Sequence, residues 1–76
     1  MVNAEAFRAL VEEHAPWGTG VSSVEVARTG GRLVVTVTAD NPTLFIGSDG
    51  SRLRAVRRTV RQLTGDDTAR VTVKAA

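Results

Sequence analysis

The sequence predicts an α+β fold, a three-stranded mixed sheet with helices on one face. Three observations predict it. Apolar spacing changes along the chain from a helical period of about 3.6 residues to a strand period of about two, returns to helical, and ends on the strand period again. Gly30 and Gly31 sit between the first two strand-like segments and mark a hairpin. A long helical segment separates the second strand from the third, and a strand reached through a helical crossover runs parallel to its neighbour.

Each element follows from local residues. Phe7, Leu10, Val11 and His14 recur at i, i+3, i+4 and i+7, with Asn3 as N-cap and Glu5 in the electropositive first turn, so a first helix is predicted here, stopped by Pro16 with His14 near its end. Val24 and Val26 alternate with Ser23 and Glu25, then Leu33, Val35 and Val37 alternate with Val34, Thr36 and Thr38, as two half-buried strands do. The turn Thr29-Gly30-Gly31-Arg32 makes them antiparallel neighbours. Asn41-Pro42 predicts a short helix with an Asx cap and a proline where a missing N–H costs nothing; it carries Leu44, Phe45 and Ile46 and stops at Gly47. From Ser51 to Thr64, Leu53, Val56, Val60 and Leu63 form one apolar stripe, and Gly65 stands where a left-handed cap belongs. Ala69 to Lys74 alternates as the third strand.

With 76 residues and no cysteine, the chain has room for one domain, residues 1–76, and carries neither a disulfide framework nor a Cys/His zinc cluster. A domain of this size buries only about 60% of the surface its unfolded chain exposes, so a deep active site would compete with the core for apolar residues. A surface-borne function is favoured. No Ser/His/Asp or Cys/His set, metal-ligand spacing, Walker pattern or Rossmann pattern is present, and the single histidine, His14, reads as a helix-end residue. The chain is read as no enzyme, with no cofactor and no metal. Its apolar runs fall far short of the roughly 20 residues that span a bilayer, and its acidic start is unlike a signal peptide. Those features predict a cytoplasmic protein without a membrane partner. Trp17 reads as a plug over one edge of the core rather than as a base-stacking platform, because nothing basic flanks it.

The charge is unevenly placed. Three arginines against six carboxylates leave residues 1–51 at −3, whereas seven basic residues against Asp66 and Asp67 leave residues 52–76 at +5. At about 100° per residue, Arg54, Arg57, Arg58 and Arg61 fall in one arc of the long helix, away from its apolar stripe. No acid within that helix stands ready to neutralise them. The stripe is suited to facing phosphates, with a plain solvated surface as the other reading.

Gly47-Ser48-Asp49-Gly50 lies at the start of the same helix. Helix N-termini attract anions, and glycines let a backbone come close. The stretch from Ile46 to Val56, IGSDGSRLRAV, is similar to the I-G-x-x-G-x-x-[I/L]-x-x-[I/V] signature of KH domains, and the α-β-β-α-α-β order resembles their type II, bacterial-style fold. The length resembles that of small stand-alone bacterial KH RNA-binding proteins of the KhpA type.

By that resemblance, Gly47, Ser48, Asp49 and Gly50, with Arg52, Arg54, Arg57, Arg58 and Arg61, would hold the backbone of single-stranded RNA, about four nucleotides of it at the loop. Single-stranded DNA is a second candidate ligand. Bases would lie on aliphatic surface from Phe45, Ile46, Leu53, Val71 and Val73. KH modules usually bind weakly alone, which implies a homodimer or a larger KH or ribonucleoprotein partner. The loop departs from the family in one respect, since the acid Asp49 stands where a basic or neutral residue is usual. A carboxylate about 4–6 Å from a phosphate costs on the order of 1 kcal/mol in a water-like medium. The alternative reading is therefore a degenerate KH-like domain that serves protein assembly and binds nucleic acid weakly or not at all.

Overall fold

The structure, a computed structural model, describes residues 4–47 and 49–76. Its elements run α1 (Ala4–His14), β1 (Val21–Thr29), β2 (Arg32–Ala39), α2 (Pro42–Ile46), α3 (Ser51–Thr64) and β3 (Arg70–Ala75). This is the predicted α-β-β-α-α-β order. The N-cap expected at Asn3 lies outside the described residues. The third strand starts and ends one residue later than expected, because Ala69 turns into the core while its N–H closes on the Asp66 carbonyl at 3.2 Å.

The sheet order is β1-β2-β3, with β1 antiparallel to β2 and β3 parallel to it. Gly30 and Gly31 both take positive φ, 59° and 79°, and let β1 return directly onto β2. In the parallel pair Val35 stands beside Val71 and Val37 beside Val73, so one face of the sheet is an aliphatic layer. Leu33, Val35, Val37 and Ala39 are buried on that face. Phe7 and Val11 from α1, Phe45 from α2, and Val56 and Val60 from α3 close the core against it. The other face carries Thr36 between Glu25 and Thr72, and Thr38 between Ser23 and Lys74, side chains that tolerate water. No helix among the described residues is long and apolar enough to cross a membrane.

Three local expectations are corrected. Leu63, part of the predicted apolar stripe of α3, is half exposed, since the helix's last turn overhangs an open cavity lined by Phe7, Val26 and Leu33 at the end of the sheet. Asn41 does not cap α2. Its side-chain Nδ2 donates instead to the Gly18 carbonyl at 2.8 Å, across to the loop between α1 and β1. Trp17 in that loop is no plug, because it is 98% exposed. Thr19 takes the inward position there, buried, with its hydroxyl donating to the Pro16 carbonyl at 2.7 Å.

Candidate nucleic-acid interface

Two glycines bracket the turn from α2 into α3. Gly47 ends α2 at φ 86° and ψ 165°, a combination almost closed to residues with a side chain, while its N–H still bonds the Thr43 carbonyl at 3.0 Å. Gly50 begins α3 in the left-handed conformation, φ 79° and ψ 7°. It offers no capping side chain, and the first turn of α3 contains no acid. The place of a cap is taken from outside the helix by Asp49, whose Oδ1 accepts the Ser51 backbone N–H at 3.0 Å. Hydrogen bonding from Ser51, side chain first and then backbone, holds the Asp49 carboxyl below its ordinary value, and the charge of Arg54 acts in the same direction. Ser48, predicted as a backbone-binding residue, lies outside the described residues.

The arginines divide into groups. Arg54 reaches back over the turn and donates from Nη1 to the Asp49 carbonyl at 3.2 Å. With Arg57, Arg58 and Arg61 it lines one shallow cavity, so the predicted stripe is a single surface feature; Gln62 and Asp67 complete its wall. Asp67 comes from the loop after the helix, which reasoning confined to the helix could not count. Arg52 points elsewhere, into a cavity shared with Pro16, Thr43, Leu44, Gly47 and Ser51.

A third cavity collects Arg32, Arg57, Arg61 and Arg70 beside Thr68, Ala69 and Val71. Sequence reasoning missed Arg32 and Arg70 because they stand at strand starts, far along the chain from α3. The signal that could have found them is the parallel register, which pairs Arg70 with Val34 and so brings both strand starts to one end of the sheet. Arg61 is tied there, its Nε donating to the Ala69 carbonyl at 3.2 Å. The Nε of Arg57 is buried and has no hydrogen-bond partner among the described residues.

The sequence model of the KH domain matches residues 5–75, from the first helix through the last strand. The chain belongs to the KH domain family. Among curated proteins it is similar to the small ribosomal subunit protein uS3 of Shouchella clausii, 38% identical over 45 residues, which is 59% of this chain and 20% of that protein. The same ribosomal protein of Coprothermobacter proteolyticus is 31% identical over 68 residues, 88% of this chain and 28% of that protein. The chain thus spans between a fifth and three tenths of the length of these relatives. Both are ribosomal proteins, whereas the resemblance to stand-alone KH proteins rests on length.

Within this KH domain the glycine turn, α3 and β3 lie together, since α2, α3 and β3 pack on one another. The aliphatic residues expected to meet bases separate by depth. Ile46, Leu53 and Val73 are partly exposed. Phe45 and Val71 are buried members of the core, so they support that surface from beneath and present no face to a base. Phe45 is the one buried residue of this five-residue helix and anchors it on the core. His14 is a helix-end residue, its Nδ1 lying 3.0 Å from the Leu10 carbonyl.

Proposed function

We propose that this KH domain binds single-stranded RNA as a non-catalytic module, with the strand's phosphates meeting the turn from Gly47 to Gly50 and the arginines of α3. One observation carries the reading: a turn bracketed by two positive-φ glycines opens directly onto a helix whose exposed side presents Arg54, Arg57, Arg58 and Arg61 as one surface. Glycine backbone at the turn permits close approach of a phosphodiester, and the helix supplies cations along the strand's path. Bases would rest on Ile46, Leu53 and Val73, with little aromatic stacking in that groove.

The ribosomal relatives support a ribonucleoprotein setting in the cytoplasm, and the modest size of the surface supports a homodimer or a second RNA-binding partner. Single-stranded DNA shares the phosphate chemistry and belongs in the same assay. A second reading has a specific observation behind it. Because the Asp49 carboxylate already occupies the Ser51 N–H, the turn could instead be a self-capped corner in a domain used for protein assembly.

Salt separates the two. Affinity for a labelled single-stranded RNA, followed by fluorescence anisotropy, should fall on a log–log plot with a slope of about −0.7 for each phosphate engaged. Undetectable binding at low salt, or affinity indifferent to salt, would leave the assembly reading in its place.

A further inference from the structure

We propose that Trp17 is a stacking platform for one nucleobase of the RNA strand, next to the bases that lie between α3 and β3. This inference rests on the RNA reading above. It starts from an imbalance: the only tryptophan in the chain is 98% exposed in a domain with little apolar surface to spare. Tryptophan is the side chain with most to gain from burial, and a sequence-tolerant partner for its face is a base.

The indole is not at the tip of a slack loop. Behind Trp17, the Pro16 carbonyl accepts both the Thr19 hydroxyl at 2.7 Å and the Thr19 N–H at 3.2 Å. Ahead of it, the Gly18 carbonyl accepts Asn41 Nδ2 at 2.8 Å. Two more backbone bonds, Asn41 N–H to Thr19 and Asp40 N–H to Gly20, each 3.0 Å, sew the loop to the residues that open α2. Asn41 gives up its capping role to do this. The same short helix ends at Gly47, so the Trp17 loop and the glycine turn are fastened to opposite ends of one five-residue element.

The surroundings select the occupant. Pro16 and Leu44 share a cavity with Gly47, Ser51 and Arg52, and Gly18 packs so near Leu44 that a Cβ there would stand 3.7 Å from Leu44 Cδ1. No carboxylate lines this cavity, and Arg52 forms no ion pair among the described residues. A cation without a counter-ion and glycine backbone, in a cavity whose wall includes Pro16, the residue before the exposed Trp17, suit an anionic strand that carries flat bases. An apolar protein segment would leave Arg52 unanswered.

The test uses the full chain, because its one tryptophan is its own probe. A short single-stranded RNA of mixed sequence should quench Trp17 emission, saturating at the concentration at which anisotropy of a labelled copy reports binding. An abasic oligonucleotide with the same phosphates should bind more weakly and leave emission unchanged. Trp17→Ala should weaken binding roughly tenfold, within the range that removal of a base–aromatic stack produces, with the salt slope unchanged, and Trp17→Phe should recover most of it. Circular dichroism should show the same fold for all three, since the side chain is almost wholly in solvent. Full RNA affinity in Trp17→Ala, with wild-type emission unmoved by bound RNA, would overturn the platform and leave the RNA reading standing. Absence of RNA binding by the wild type would remove both. A change in emission on raising protein concentration without RNA would give Trp17 to a second copy of the chain and overturn the platform as well.

Discussion

The Asp49 carboxylate and the Ser51 backbone N–H are 3.0 Å apart, so a charge of the chain's own sits at the start of α3 where an incoming phosphate would look for a donor. The residue whose charge would oppose a bound phosphate therefore also orders the turn, by capping a helix that begins on a glycine. The two roles can be separated by mutation. Asp49→Asn keeps an oxygen that accepts the Ser51 N–H and removes the charge, so RNA affinity should rise several-fold while the turn loses only the part of its stability that depends on the charge. Asp49→Lys replaces repulsion by attraction and should raise affinity about tenfold. Anisotropy titrations of both variants decide the matter, and wild-type affinity in both would mean that no phosphate comes near the turn.

Acid should loosen the same corner. Hydrogen bonds from Ser51 hold the Asp49 carboxyl below its ordinary value, and hydrogen bonds from Thr68, side chain first and then backbone, do so for Asp66. A carboxyl depressed in the folded state binds its proton more readily when unfolded, so its contribution to stability is present above the unfolded value and is lost as pH falls through the lower folded one. Tm should therefore decline as pH drops from about 5 toward 3. Asp66→Ala, which removes the acceptor for both the Thr68 N–H and its hydroxyl, should flatten that decline. An Asp66→Ala pH profile identical to the wild type's would show the Thr68 bonds to be energetically silent.

What the sequence discloses is what is encoded locally. The hairpin is legible because Gly30 and Gly31 carry its turn by themselves, and α3 because its buried Val56 and Val60 and its left-handed terminal Gly65 all lie in one stretch of chain. The crossover to a parallel β3 follows from those two. The glycine turn and the arginine stripe are legible for the same reason. Features assembled from distant segments are not. Asn41 has a standard capping position before Pro42, and nothing nearby reveals that the carbonyl of Gly18, on the far side of two strands, competes for its side chain. Arg32 and Arg70 join Arg57 and Arg61 only through the sheet register. Trp17 reads as inward-facing because nothing basic flanks it along the chain, and the buried Thr19 that takes the inward place is an ordinary threonine in the sequence.

The two bracketing glycines should fail differently. Gly50 is left-handed, a conformation that aspartate tolerates better than most residues, so Gly50→Asp should remain folded while placing a second carboxylate at the turn. RNA binding should be lost. Gly47 occupies backbone space reserved for glycine, so Gly47→Ala should destabilise the domain by about 1–3 kcal/mol, although the added methyl itself would meet only ordinary van der Waals neighbours near Arg52. Thermal melts and anisotropy on the pair would show one variant folded and non-binding, the other less stable. Equal Tm losses in both would contradict the conformational assignment, and RNA binding retained by Gly50→Asp would take the strand away from the turn.

The arginine surface makes the most direct quantitative demand. Arg58 lines the cavity on α3 and forms no ion pair among the described residues, whereas Arg54 also holds the Asp49 carbonyl at 3.2 Å. Replacing both by glutamine should weaken binding to every single-stranded sequence tested and make the salt slope shallower by about 0.7 for each phosphate no longer neutralised. Phosphate recognition carries no sequence information, so the ranking of sequences should survive while all affinities fall together. Tm should change little for Arg58→Gln alone, because an exposed cation contributes little to folding. Arg54→Gln alone should cost slightly more, because it also removes the tie to the turn. An unchanged salt slope in the double variant, accompanied by a collapse in Tm, would make these arginines part of the scaffold and move the phosphate path to the cavity where Arg32 and Arg70 face Arg57 and Arg61.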